Sequence, residues 1–477
     1  MYFKSLLNRH FIYAIVALLP FLGSSLAMAS LDNKGTEFIM SFIPNFDNTA
    51  ILELHLTSEV ATDVTVEYPV NSPTFTTTVG VTPGNVTIVS LPSSTDDFTN
   101  DSVSNNAVHA FSDNEFVCYM INRRTASSDA ALALPVDTMN TEFIVVDYNP
   151  TFGNGAEFAV VAGYDNTTVT ITPATNIVGH AAGVSFTKSL NRGEVYFAAS
   201  ATNNSTNTLT GSIITADRPV GLTNGDACVN IPTNITACDH IFEVGQPTQT
   251  WGSKVLVANL PNRPSGSIYR IVASQDGTNV TQDGASIGTI NRGAYIETSV
   301  IAGNHIFEGD KPIFVAQFMT GQSYSGATLG DPAIGNMIPS DQYLSNYTFS
   351  TVGGAQFAQN YVTIIAEDAD VTNGTILLDG AAVAGFSPIG TSGFQAAVAS
   401  LTSGVHTTSS NGVHGITVEG YNSFDSYIYP GGALFEFINP VGDANPPICE
   451  THLVAGDPPS AAGTATDNRP SEDTNNN

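Results

Sequence analysis

The 477-residue chain carries 43 acidic side chains against 14 basic ones, a formal net charge of −29, with 42% hydrophobic and 12% charged residues. That apolar content is enough to bury real cores and excludes a wholly disordered polypeptide, while so little charge excludes a coiled coil. Nucleic acid is excluded as a partner as well, because neutralising phosphates requires clustered Lys and Arg.

Residues 1–29 have the layout of a secretory signal peptide. Lys4 and Arg9 precede an apolar run from Phe11 to Leu22, and Ala27-Met28-Ala29 supplies the small residues for cleavage after Ala29. The run is broken by Pro20 and falls short of the roughly 20 apolar residues of a membrane span, and no later stretch reaches that length. The mature chain is therefore expected to be secreted and extracellular (periplasmic or on the cell surface in a bacterium), without membrane insertion. Its acidity fits a solvated, self-repelling surface. No cofactor is expected, and calcium is the one that the acidity leaves open.

Three lines of internal similarity run through the rest of the chain. SLNRGEVYF from Ser189 returns as TINRGAYIE from Thr289, which aligns Gly84, Gly193, Gly293 and Gly393. SDNEFVCYMIN, ADRPVGLTNG and GDKPIFVAQFMTG align Asp113, Asp217 and Asp310, with Asn411 as a degraded fourth copy. GTEFIM from Gly35 and NTEFIV from Asn140 mark unit starts, with further copies at Pro247 and Pro339. A period near 100 residues then divides the chain into β units at 30–134, 135–246, 247–338 and 339–440, followed by a flexible acidic and polar tail at 441–477.

Within residues 140–225 the runs EFIVV, EFAVVAG, TVTITP, VSFTKSL, EVYFAA, GSIITA and PVGLT alternate with Asn, Asp and Gly punctuation. Seven short strands per unit and almost no helical periodicity give an all-β chain of four tandem sandwich-like units, with a propeller-like ring as the rival arrangement. Asn-Arg-Gly reads as a turn needing positive φ, and Pro219 and Pro312 read as strand starts. Cys228 and Cys238 bracket VNIPTNITA, a loop that a local disulfide can close in an oxidising compartment. Pairing of Cys118 with Cys449 stays open.

The segment from Ile214 to Val257, ITADRPVGLTNGDACVNIPTNITACDHIFEVGQPTQTWGSKVLV, resembles the N-terminal domain family of IgGFc-binding protein at Asp217, Pro219, Cys228, Cys238, Asp239, His240, Pro247, Trp251 and Gly252. SIYRIVASQDGTNVT from Ser267 and GDPAIGNMIPSDQYL, with Gly330, Asp331 and Pro332, extend it. The resemblance implies an extracellular, β-rich role in recognition or adhesion, with an extracellular protein or glycan as partner. Neither Asp331-Pro332 nor Asp457-Pro458 is followed by His, so the self-cleavage of related modules is not expected.

No HExxH, GxxxxGK or GxSxG string occurs, and GQSYSG from Gly321 reads as a polar loop after a strand. Cys228, Cys238 and His240 lack the short spacing of a zinc knuckle. Asp239 is expected to tie the disulfide loop through backbone hydrogen bonds, with His240 in a core or hinge. The acidic EDADVTNG, with Glu367, Asp368 and Asp370, reads as a solvated hairpin turn rather than a calcium loop. The leading expectation is a non-enzymatic recognition or adhesion protein. The rivals are a hydrolase or accessory module of a polysaccharide-degrading system, using Asp96 with Asp97 or Glu367 with Asp370, and a structural envelope-layer protein.

Overall fold

The computed structural model describes residues 31–439 except 48, 203, 205 and 353–355, together with two later strands. The expected signal peptide lies outside the described residues, as does most of the tail. Within the tail, Ile448–Val454 and Ser460–Thr466 pair antiparallel, so the segment read from composition as flexible contains a strand pairing.

The described chain is all-β, with four main sheets of seven, eight, seven and eight strands. Each is organised about one long strand: Val108–Arg123, Ile213–Val229, His305–Met319 and Val405–Asn422. In the second unit the first half of that strand pairs with Asn140–Ile144 and with the hairpin strand Thr167–Thr172. Its second half pairs with Phe152–Ala162 and with a closing strand, Asp239–Val244.

GSIITA and PVGLT, read as two strands, are therefore one strand with a bulge. Between Thr215 and Val220 the ladder shifts register, and the same shift recurs at Phe111/Phe116, Glu308/Ile313 and Ser409/His414. Pro219 and Pro312 fall inside these bulges rather than at strand starts. A bulge frees residues from the ladder, so the missing amide costs no hydrogen bond there. The repeated aspartate sits in the same bulge: Asp217 accepts the Thr168 amide at 2.7 Å, and Asp310 accepts the Asn279 amide at 2.8 Å. The repeated glycine is also explained, because Gly84, Gly193, Gly293 and Gly393 hold φ of 76°, 76°, 77° and 81°.

Two short helices replace expected irregular segments. Asp368–Asn373 is helical, with carboxylates in its first turn and Gly374 at φ 64° ending it, the chemistry of a helix rather than a hairpin. GQSYSG contains a single helical turn at Gln322–Ser325.

Strand alternation gives each long strand two apolar faces, and these faces serve different cores. Cys118 and Met120 join a core with Phe38, Leu54, Phe197 and Phe242, from the first two units. Val117, Tyr119 and Ile121 join one with Val362, Tyr427 and Tyr429, from the fourth. Val146, Ile241, Trp251 and Phe318 form the core between the second and third units, and Tyr269, Val315, Tyr421 and Ile428 that between the third and fourth. The units are thus sandwiched on one another. Their closing strands, Asp129–Leu132, Asp239–Val244, Ala333–Met337 and Asp425–Pro430, pack each on the next and the last on the first. The sandwich-like sheets close into a ring, which combines the two arrangements weighed from sequence. The first unit also lends Ser102–Ser104 to the edge of the second sheet, beside Val195–Ala199.

Candidate functional site

Every closing strand begins at or just after an aspartate, so ring closure brings Asp129, Asp239, Asp331 and Asp425 together at one end of the axis. All are buried. The carboxylate of Asp129 accepts the amides of Ala130 at 2.8 Å and Phe242 at 3.3 Å, with the amides of Ile334 and Ile428 also acting on it, so all four units donate to one group. Burial nevertheless pushes its pKa well above the usual carboxylate range.

Asp239 accepts the amide of its neighbour His240 at 2.8 Å, and its second oxygen has no partner. Both oxygens of Asp331 and one of Asp425 are also without partners. Burial, then the charges of Asp425, Asp331 and Asp129, raise Asp239. Burial raises Asp331 to about 8, against the pull of Arg263, and Asp425 to about 7. A carboxyl with neither cation nor full hydrogen bonding is cheapest to bury when protonated.

His240 is a core residue. Its Nδ1 lies 2.9 Å from the Asp226 carbonyl oxygen, and burial depresses its pKa to about 3, which keeps it neutral. Cys228 and Cys238 form the expected disulfide. Cys118 is free and buried. Trp251 is buried against Phe314 and donates Nε1–H to Gln246 at 3.2 Å. A Cβ on Gly252 would meet Pro339 at 2.7 Å, and one on Gly330, at φ 89°, would strike Arg263 and Tyr421. Pro332 is buried behind Asp331. These motif residues hold one unit against the next. Replacing both Cys228 and Cys238 with Ser should cost about 2–3 kcal/mol, the chain entropy of a short loop, read as a lower urea midpoint for a chain that still folds.

A cleft of about 800 Å3 opens at this end of the axis, between the first and last units. It is lined by Ile51, Arg123, Arg124, Gln356, Asn422 and Asp425, among others. Arg123 pairs with Glu53 at 2.7 Å and Arg124 with Asp47 at 2.7 Å, which fixes both guanidinium groups. Arg124 also lies over Phe46, 5.4 Å from its centroid. On the opposite rim, Asn422 and Asp425 pair across a hairpin tip whose Phe424 holds φ 52°. Ala126, on the first rim, holds φ 57°. Phe46, Ile51 and Phe424 are exposed.

The carboxylate pairs considered for hydrolysis do not line this cleft. Asp96 is buried in a short turn at Ser93–Asp96, where burial raises its pKa to about 7, while Asp97 points outward. Glu367 is exposed, and Asp370 is turned in to accept the Thr375 hydroxyl at 2.9 Å. Among the described residues no group of three or more His, Cys, Asp or Glu is arranged to hold a metal ion, and no helix is long and apolar enough to cross a membrane. Sequence reasoning picked out Asp239 and Asp331 but missed Asp129 and Asp425. Their signal was the recurring Asp before an alternating apolar strand, in SDAAL, CDHIF, DPAIG and FDSYIY.

The profile of a family described as IgGFc binding protein matches residues 129–420, from the first axial aspartate into the last long strand. A human protein named IgGFc-binding protein is 26% identical over 258 residues, which span 52% of this chain and 5% of that protein. The chain belongs to the IgGFc-binding protein family.

Proposed function

We propose that the chain is an exported, non-enzymatic recognition protein that takes an extracellular protein or glycan at the cleft on the ring axis. The observation that carries this reading is Phe424. A two-residue hairpin tip favours Gly, Asn or Asp in the left-handed region, yet a bulky aromatic residue stands there with its side chain 41% exposed. Backbone strain held in place at a cleft rim is a mark of function, and an exposed aromatic group is a frequent anchor for a partner. Ile51 supplies apolar surface on the facing rim, with the exposed Phe46 beneath Arg124 beside it, while the paired arginines, Gln356 and Asn422 supply oriented polar groups. Family membership supports the same class of role, and the name of the human relative makes the Fc part of immunoglobulin G one partner to test.

The test is biolayer interferometry of the intact chain against immunoglobulin Fc, other extracellular proteins and a glycan panel. Phe424→Gly should weaken the binding found by about tenfold or more. The same change should raise thermal stability slightly, by relieving about 1 kcal/mol of strain. Undiminished binding with Phe424→Gly and with Ile51→Ala would remove the cleft from the reading.

A further inference from the structure

Three of the four joints in the ring are crossed by the polypeptide itself, as the chain leaves each closing strand and enters the next unit. The joint between the last unit and the first has no such crossing among the described residues. It is held by side-chain packing and a few hydrogen bonds: Tyr119 against Tyr429 at 4.9 Å, Gln356 Nε2 to Ser128 Oγ at 3.0 Å, Ser128 Oγ to Asp425 Oδ2 at 3.3 Å, and Phe435 N to the Leu31 carbonyl at 2.7 Å. Asp425 thus sits at the one joint without a covalent crossing, on the floor of the cleft, with Asp239 and Asp331 close behind it. Its remaining oxygen is buried without a partner.

We propose that this joint is a proton-operated latch: with Asp425 and its neighbours Asp239 and Asp331 protonated the ring is shut, and their ionisation loosens the joint and widens the cleft. The latch regulates the site proposed above, but it is a property of the ring and needs no ligand.

The surroundings of the three groups decide the direction. Asp425 faces Ser128 and Gln356, which are uncharged, and the carboxyls of Asp239 and Asp331. Asp239 faces Asp425, Asp331 and Asp129, with Glu243 acting on Asp129 from the same strand as Asp239. His240 beside it is neutral.

Two cations act on the cluster, and each is engaged elsewhere. Arg124, whose guanidinium acts on Asp239, is paired with Asp47. Arg263 acts on Asp331 but donates to the carbonyls of Leu329 and Asn262 and lies over Tyr421. Ionisation therefore adds like charges to a buried cluster with little to neutralise them. The joint without a chain crossing is the one that can yield.

Hydrogen exchange with mass spectrometry on the full chain, corrected for the intrinsic rate, tests this at about pH 5.5 and about pH 8.5. Protection of Asp129–Leu132 and Asp425–Pro430 should fall about tenfold at the higher pH, while Phe152–Ala162 inside the second sheet keeps its protection. Asp425→Asn should abolish the change. Asp331→Asn, which leaves the hydrogen bonds across the joint intact, should shrink it. Equal protection at both pH values, a uniform loss across all four sheets, or a wild-type response in both Asn variants would each overturn the latch. A chain that shows the response yet binds nothing on the panel would leave the latch standing and remove only the recognition reading.

Discussion

Arg270→Ala lowers the unfolding free energy by about 3–5 kcal/mol, read as a shift of the urea midpoint at unchanged slope. Arg270 is fully buried between the second and third units. Its guanidinium donates to Glu297 at 2.8 Å, to the Asp147 carbonyl at 2.7 Å and to Asn149 at 2.6 Å, and it lies between the faces of Tyr148 and Tyr295, 4.9 and 4.6 Å from their centroids. Asp147 is equally buried, with the guanidinium 3.9 Å away as its nearest cation. Truncation leaves that carboxyl with its hydroxyl and amide donors but no counter-charge, and it leaves the Asp147 carbonyl and Asn149 short of a donor. Lys is a poor replacement, since an ammonium cannot reproduce the planar fork that reaches Glu297, the Asp147 carbonyl and Asn149 at once. A midpoint shift equivalent to less than about 1 kcal/mol for Arg270→Ala would show that the joint between these units does not depend on the residue.

What sequence could show of this fold was whatever repeats locally. The Asn-Arg-Gly turns were legible because a positive φ restricts the residue to Gly or Asn wherever the turn recurs. The strands were legible because apolar and polar residues alternate along them. The bulge was not. Pro219 and Pro312 look like strand starts until the long strand is seen to run through them with a shifted ladder. The ring was legible only as a rival to a row of sandwiches, since independent sandwiches and a closed ring ask for the same apolar alternation. Only contacts such as Tyr119 with Tyr429, more than 300 residues apart, tell them apart. At the site, one aspartate per unit is an unremarkable frequency, and closure alone turns four separate residues into a cluster. Phe424 was silent for a related reason: a Phe in a run of polar residues says nothing until its backbone angle is known.

The chain should be more stable at about pH 5 than at about pH 8: acidification relieves the self-repulsion of a net charge of −29, and the buried carboxyls act in the same direction. The buried carboxyls extend beyond the latch. Burial raises Glu419 to about 8, and pushes Glu157, Asp226 and Glu243 well above the usual range, with unpartnered oxygens on Glu157, Asp226 and Glu419. With Asp331 and Asp425 they keep protons in the folded chain at pH values where the unfolded chain has released them. A carboxyl raised in this way contributes stability that is full below its unfolded pKa and is lost as pH rises through the folded one, here toward 7 and 8. His240 and His414, depressed by burial to about 3 and about 4, act in the opposite sense below about pH 6.5, but they are two against many. Ion-paired carboxylates such as Glu53, held near 2 by His55 and Arg123 against its burial, bring stability down again only in strong acid. A net uptake of even one proton on folding gives about 1.4 kcal/mol per pH unit, or about 4 kcal/mol across the interval. Calorimetry of the wild type should show the melting temperature rising on acidification from about pH 8 to about pH 5, and Glu419→Gln, which needs no proton, should flatten the rise. A melting temperature that is level or climbs with pH over this interval would mean that the buried carboxyls are ionised and neutralised by some cation within the ring.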